Sequence, residues 1–435
     1  MIRFLCFFIF ISSSVMNLRA QESPVLKLSL QEILDLSDKQ SHTLKKGNYN
    51  IERVENELAA SRLQWAPELS LSVSAGYLGN ATLTDRDFSN REVVDMPHFS
   101  NKLVLQLTQT VYDASMLEEI KQQRTATELA FAQQDVQKQE IRFMLVEWYL
   151  SYLKQINEKE VYLNDKARLE KLLSETRERY KQGTALKSDV TNYQLEVKNK
   201  ELLLTKNANR IRIINYQLAK LLGLPENTMI TPDDSFLAGQ PDSLRIEADF
   251  FSPAQAPQLQ ESMKQYELSR QKERSVKVKR LPKLFVWGEN SLKGPISTAI
   301  PPINKNMNDW GLGLGLSFNI GNLYKSGRNI KAASYATRMY KEQTELIQDQ
   351  LDTELYTART KLEEALDELA IRRDYKILAS ELYEVVYERY SNGMAIVTEM
   401  MDAGNELLSA DIEYLNMQIE TFRYYYMLRK IAGTL

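Results

Sequence analysis

The side chains of this 435-residue sequence that could do chemistry are few and scattered. Its two histidines, His42 and His98, have no cysteine or acid around them at metal-ligand spacing. His42 falls in a helical stretch and His98 in a polar loop, so both read as surface residues. Adjacent carboxylates, Glu118-Glu119 and Glu363-Glu364, lie on charged helix faces where acids are ordinarily solvated. No nucleophile elbow, Walker loop or zinc-protease helix occurs. Gly311-Leu312-Gly313-Leu314-Gly315 has glycines enough for a phosphate loop, but the third falls out of place and leucine at every second position spells a strand. Glu399 and Asp402, three apart, share one helix face; in a chain with 58 acidic residues, composition alone reads that face as solvated. The expectation is a protein without enzyme activity, cofactor or metal centre.

With chemistry set aside, the elements carry the information. Arg3, the apolar run Phe4 to Val15 and the small-residue site Leu18-Arg19-Ala20 read as a secretory signal peptide over residues 1–20, too short to span a bilayer as a helix. The single cysteine, Cys6, lies inside it. It sits too early for a lipid anchor and leaves the mature chain without thiol or disulfide. Removing Arg3 and Arg19 leaves 53 basic against 58 acidic residues. This mild negative charge argues against nucleic acid as a partner. No later stretch is a spanning helix, so a membrane crossing would have to use strands.

The chain repeats itself. Glu178-Arg179-Tyr180-Lys181-Gln182-Gly183 recurs 210 positions later as Glu388-Arg389-Tyr390-Ser391-Asn392-Gly393, and Leu221-Leu222-Gly223 recurs at the same offset as Ile431-Ala432-Gly433. Upstream, Pro67 corresponds to Pro282. Several matches in one order predict a first repeat over 21–223 and a second over 258–435. The proline-rich linker 224–257 joins them. Each repeat has a helical stretch (Leu30 to Gln64; Gln258 to Arg280), two strand-like segments, a very long helix (Ala114 to Tyr180; Ser326 to Tyr390), a glycine turn and a last helix (Lys187 to Leu222; Val397 to Ile431). Neither long helix contains proline, nor glycine after Gly327. At 1.5 Å per residue, roughly 65 residues would extend on the order of 100 Å. Apolar residues spaced three and four apart (Leu163, Ala167, Leu169, Leu172, Leu173; Leu378, Leu382, Val385, Val386) predict lateral packing as antiparallel hairpins. That seam serves either a bundle core or a partner subunit.

The strand segments alternate strictly. Leu69, Leu71, Val73, Ala75 and Tyr77 alternate with polar or small residues, as do Leu103, Leu105 and Leu107. In the second half Trp310, Leu312, Leu314, Leu316, Phe318 and Ile320 alternate with Gly311, Gly313, Gly315, Ser317 and Asn319. Each run approaches the length of a tilted membrane strand, about 9–11 residues. Four strands make a poor closed barrel in one chain, whereas three chains would supply about twelve. The long polar loop Gly79 to Ser100 and the segment Lys293 to Asp309 suit an extracellular mouth.

In these features the mature chain resembles the TolC-type outer-membrane efflux protein family. The resemblance is carried by Leu28-Ser29-Leu30-Gln31-Glu32-Ile33-Leu34, by the Pro67 and Pro282 junctions, by Thr110-Val111-Tyr112-Asp113 and by the paired Tyr-x-x-Gly turns. It implies a mainly α fold with a small β part: helical hairpins forming an α-barrel tunnel, and four membrane strands per protomer in a 12-stranded barrel shared by a homotrimer. It also implies an outer-membrane location reaching into the periplasm and a passive role in efflux or type I secretion. The implied partners are a periplasmic adaptor (membrane fusion protein) and, through it, an inner-membrane pump or ABC ATPase. Tyr180, Gly183, Thr184, Gly393 and Met394 would form the adaptor-docking tips. Tyr390, Glu399 and Asp402 match the family's periplasmic gate, where stacked acidic rings favour cations. Ala395 stands where the family has a gate arginine, so closure would need other contacts. In the first repeat Asp189 takes the place of Glu399, and Asn192 that of the second acid.

A second reading is a soluble periplasmic scaffold or adaptor whose strands form a lipid-independent sheet. Four strands of barrel length beside two long helices of matching length favour the channel.

Overall fold

The structure is a computed structural model; it describes residues 25–233, 244, 251–299 and 302–435. The expected signal peptide lies outside the described residues, as do residues 234–243 and 245–250 of the predicted linker. In chain order the elements are β1 (Val25–Leu28), α1 (Leu30–Gln40), α2 (His42–Leu63), β2 (Glu68–Tyr77), β3 (Ala81–Thr84), β4 (Arg91–Val94), β5 (Phe99–Tyr112), α3 (Ala114–Lys181) and α4 (Lys187–Leu221). They continue with β6 (Met229–Pro232), α5 (Pro257–Val278), β7 (Lys283–Gly294), β8 (Met307–Ser317), α6 (Gly321–Lys325), α7 (Gly327–Ser391) and α8 (Val397–Ala432). The long helices α3 and α7 are 68 and 65 residues, unbroken because no residue inside them lacks an amide proton. The first predicted helical stretch is instead two helices, parted at Ser41, where the backbone is extended (ψ 123°) and Ser41 N–H donates to Ser37 O to close α1.

Chain contacts divide the molecule into two compact units. One comprises residues up to Ser41 with Ile141–Phe250 and Arg359–Met427; the other comprises His42–Glu140, Phe251–Ala358 and Leu428–Leu435. Each unit draws on both halves of the sequence.

The first unit contains a feature absent from the sequence reading. β1 pairs in parallel with β6, with Val25 opposite Met229 and Leu28 opposite Pro232. Two buried tyrosines of α3 fix this ribbon. The Tyr149 hydroxyl donates to Asp233 O (2.7 Å) and Leu28 O (3.2 Å) and accepts from Asp233 N–H (2.9 Å). Tyr152 donates to Ile230 O at 2.8 Å. A short strand has few ladder bonds to hold it, so these side chains supply what pairing alone does not. Tyr149→Phe should destabilise the protein by about 0.5–1.5 kcal/mol, the net worth of a hydrogen bond, because Asp233 N–H still donates to Leu28 O at 3.2 Å without the hydroxyl. It should also raise amide exchange at Leu28 and Asp233. Unchanged exchange there would show that the ribbon stands without the tyrosine.

The second unit holds a four-stranded antiparallel sheet in the order β2-β5-β7-β8. Register puts Leu69 opposite Leu107, Leu71 opposite Leu105 and Val73 opposite Leu103 on one face, which continues through Val286 to Leu314 and Leu284 to Leu316. The other face carries Ser70, Gln106 and Glu289. Trp310, Leu312, Leu314 and Leu316 are 70–77% exposed, so this apolar face has no covering layer within the chain. On the opposite face the Gly311, Gly313 and Gly315 row is not open. The Phe285 ring and the Trp287 indole lie over it, with a Cβ at Gly313 meeting the indole at 2.9 Å. The loop predicted between β2 and β5 contains a second hairpin, β3 with β4. At its root His98 donates from Nδ1–H to Leu78 O at 2.9 Å and stacks on Tyr77.

Candidate functional site

α3 and α7 end in the same way, within the first unit. Gly183 (φ +77°) and Gly393 (φ +74°) occupy the left-handed region. Thr184 N–H reaches back to Arg179 O (2.9 Å) and Gly183 N–H to Tyr180 O (3.0 Å). Met394 and Gly393 repeat the pattern toward Arg389 O (2.8 Å) and Tyr390 O (3.0 Å). These are Schellman closures, which need the φ that glycine reaches at no steric cost. Nothing lies within 4 Å of where a Cβ would stand at either glycine, so the requirement is conformational and not one of space. All five residues expected to form the tips, Tyr180, Gly183, Thr184, Gly393 and Met394, are exposed in these turns. Exposed Leu186 and Ile396 extend the apolar surface beside them.

The three residues expected at a gate are divided. Glu399 and Asp402 lie exposed on α8, where with Leu378, Leu382, Arg389 and Glu406 they line an open groove of about 570 Å³. Glu399 pairs with Arg389 at 3.3 Å, both half-exposed, and Glu406 accepts from the Tyr375 hydroxyl. Tyr390 points away from the acids. It is 3% exposed in a core with Leu172, Leu173, Tyr193, Val197, Val386, Met400 and Ala403. Ala395 packs against the same core. Burial, followed by the neighbouring Tyr390, pushes the Tyr193 phenol far above its ordinary value, and burial raises Tyr383 as well. Asp189, the counterpart of Glu399, turns back to accept from Leu186 N–H at 3.0 Å and so caps α4. Asn192 is exposed.

Sequence reasoning missed the residues of α3 that hold Tyr390. Its hydroxyl shares a hydrogen bond with the buried Thr176 hydroxyl at 2.8 Å. The Arg179 guanidinium lies 4.7 Å from the Tyr390 ring centre and donates to Tyr390 O (2.9 Å) and Ser391 O (2.8 Å). Further along, Lys171 lies over the Tyr387 ring (4.9 Å) and Arg168 over the Tyr383 ring (5.2 Å), while Tyr387 donates to Glu175 at 3.2 Å. The available signal was periodic: cations at 168, 171 and 179 fall on one face of α3, and tyrosines at 383, 387 and 390 on one face of α7.

Among the described residues no group of histidine, cysteine, aspartate or glutamate could hold a metal ion. No described helix is long and apolar enough to cross a membrane.

The chain thus carries a four-stranded sheet with one uncovered apolar face and two long helices that each close in a glycine turn. Residues 33–224 match the family described as outer membrane efflux protein. The fold of the chain is similar to that of the outer-membrane channel OprN (TM-score 0.75, 12% identity, covering 93% of this chain and 90% of that one). It is similar also to VceC from Vibrio cholerae (TM-score 0.73, 13% identity, 93% and 96%) and to CusC (TM-score 0.77, 11% identity, 93% and 92%). No curated protein matches the chain in sequence.

Proposed function

We propose that this chain is one subunit of a homotrimeric outer-membrane channel, a passive trans-periplasmic exit duct for small molecules or proteins. The observation that carries the reading is the four-stranded sheet with Leu69, Leu71, Val73, Trp310, Leu312, Leu314 and Leu316 exposed on one face. Three such sheets closed edge to edge would form a barrel of about twelve strands with this face toward lipid and no free edge. The helical hairpins continue the duct through the periplasm. The turns at Gly183 and Gly393 dock a periplasmic adaptor, and through it an inner-membrane pump or secretion ATPase that chooses the cargo. Glu399 and Asp402 supply acidic rings at the periplasmic entrance, where exposed carboxylates attract cations and repel anions.

Two measurements test this. Cell fractionation should place the protein in the outer membrane, released only by detergent; recovery in the soluble periplasm would sink the channel. In planar bilayers the double substitution Glu399→Ala, Asp402→Ala should lower the preference for potassium over chloride several-fold, since acid rings are the stated source of that preference. Unchanged ion preference would remove these two acids from the conducting path.

A further inference from the structure

Two stretches of the second repeat contain no acid, in a chain whose 58 acidic residues outnumber its 55 basic ones. Between Glu273 and Glu289 stand Arg274, Lys277, Lys279, Arg280 and Lys283. Between Asp309 and Glu342 stand Lys325, Arg328, Lys331, Arg338 and Lys341. The fold joins the two stretches where α5 runs into β7 and β8 runs out into α6 and α7. There Arg280 Nε donates to Ser326 Oγ at 2.6 Å, and Asn322 Nδ2 donates to Lys279 O at 3.2 Å. Lys277, Lys283 and Lys341 have carboxylate partners in Glu273, Asp113 and Glu345. Among the described residues Lys279, Arg280, Lys325, Arg328 and Lys331 form no ion pair, and all but Arg280 are fully exposed.

The equivalent junction of the first repeat is built differently. Glu55, Glu57, Glu68, Asp113, Glu118 and Glu119 stand among its bases, and Arg53, Lys121 and Arg124 pair with Glu57, Glu118 and Glu128. Asp113 also caps α3, accepting from Ser115 N–H at 2.8 Å, as suits the positive end of a helix dipole. α7 has no acid in its first turn; Arg328 stands there, with Lys325 just before it. Cations at a helix N-terminus oppose the dipole and one another, so this end of α7 lacks negative charge. An anion from outside the chain supplies it.

Apolar surface adjoins these cations. Past Leu316, the last leucine of the uncovered sheet face, Phe318, Ile320, Leu323 and Tyr324 are all exposed, as is Leu281 between Arg280 and Lys283. The Lys325 ammonium lies 5.9 Å from the Tyr324 ring centre. Aromatics beside lysine and arginine at the end of a lipid-facing surface mark the depth of a headgroup layer. A free anion would use the cations and leave the apolar ledge bare. A ligand with an anionic head and acyl chains uses both.

We propose that this junction is a binding site for anionic phospholipid of the phosphatidylglycerol type. Lys279, Arg280, Lys325, Arg328 and Lys331 take the phosphodiester headgroup, and the acyl chains lie along Phe318, Ile320 and Leu323 toward Leu316. The inference rests on the channel reading above, which makes the apolar face the lipid contact. It adds a preference for lipid charge that an apolar face alone does not have, and it gives that preference to the second repeat.

The test titrates the full-length protein in dodecyl maltoside micelles with dioctanoyl phosphatidylglycerol, dioctanoyl phosphatidylcholine and inorganic phosphate, read by calorimetry. Phosphatidylglycerol should bind about tenfold or more tightly than phosphatidylcholine, and added potassium chloride should weaken it by screening the exposed cations. The combined substitution Lys325→Gln, Arg328→Gln, Lys331→Gln keeps helix propensity and should lower that affinity by about tenfold or more. A control with the same charge change on α4, Lys198→Gln, Lys206→Gln, Arg212→Gln, should stay within about twofold of the parent. Equal affinity for the two lipids overturns the site, as does an equal loss in the control. Inorganic phosphate binding as tightly as phosphatidylglycerol also overturns it, because the acyl chains would then contribute nothing. If the triple variant fails to accumulate, Lys279→Gln, Lys331→Gln decides by the same comparison. A parent protein that stays soluble without detergent overturns the channel reading. Lack of preference in a protein that needs detergent overturns the lipid site alone.

Discussion

Arginine in place of Leu314 should prevent the protein from accumulating in the outer membrane. Leu314 stands in the middle of β8, 77% exposed, between Leu312 and Leu316 on the uncovered face of the sheet. In a lipid-facing strand a charged side chain near the bilayer midplane costs about 2–4 kcal/mol. In the proposed trimer each subunit bears this cost, against a folding stability of about 5–15 kcal/mol per domain. The opposite face provides the control. Ser70 of β2 lies on the face shared by Gln106 and Glu289, so Ser70→Arg should be recovered in the membrane at close to the parent level. Quantitative blotting of detergent-extracted membranes reads both variants. If Leu314→Arg accumulates as well as Ser70→Arg, the apolar face does not meet lipid.

The second large effect lies in the first unit, where α3 and α4 trap charge. Lys200 is 3% exposed and its ammonium is held by Asp165 at 3.2 Å; Asp165 also takes Arg168 at 3.0 Å. Asp165→Ala removes the carboxylate and leaves the Lys200 ammonium buried without it. Breaking a buried pair from one side costs about 3–5 kcal/mol, far more than the pair itself contributes. The double substitution Asp165→Leu, Lys200→Met removes both charges and should recover most of that loss. Chemical denaturation of the detergent-solubilised protein checks both steps. A loss below about 1 kcal/mol for Asp165→Ala would mean that the Lys200 ammonium reaches water when its partner is removed.

Much of this was legible in residue order. The expected long helices, Ala114 to Tyr180 and Ser326 to Tyr390, are observed as Ala114–Lys181 and Gly327–Ser391. Helix continuation depends on each residue keeping its amide and φ, so the absence of proline marks the extent. The Tyr-x-x-Gly turns were legible for the same reason: glycine is what a Schellman closure requires at its left-handed residue, and both glycines have φ near +75°. Strict alternation marked β2, β5 and β8, because the pleat imposes a period of two. These are properties of a chain with its neighbours in sequence.

What the sequence left open was decided by meetings between distant segments. Four-residue strands such as β1 and β6 have too little alternation to be read, and their pairing is held by Tyr149 and Tyr152 of α3, more than eighty positions from Leu28. Alternation within β8 placed its glycines on one face but could not show that Phe285 and Trp287 of the neighbouring strand lie on them. The expected site shows the contrast most clearly. The family resemblance grouped Tyr390 with Glu399 and Asp402, and helical spacing put the two acids on one face. Tyr390 leaves them because α7 presents it to α3, where a buried threonine and an arginine are waiting. Two arginines in equivalent segments likewise meet different partners, Arg179 the last carbonyls of α7 and Arg389 the Glu399 carboxylate. The sequence determined helices, turns and strand faces, which depend on backbone geometry repeated locally. Tertiary structure chose the partner of each side chain, because that choice depends on which groups from remote segments lie within a few ångströms.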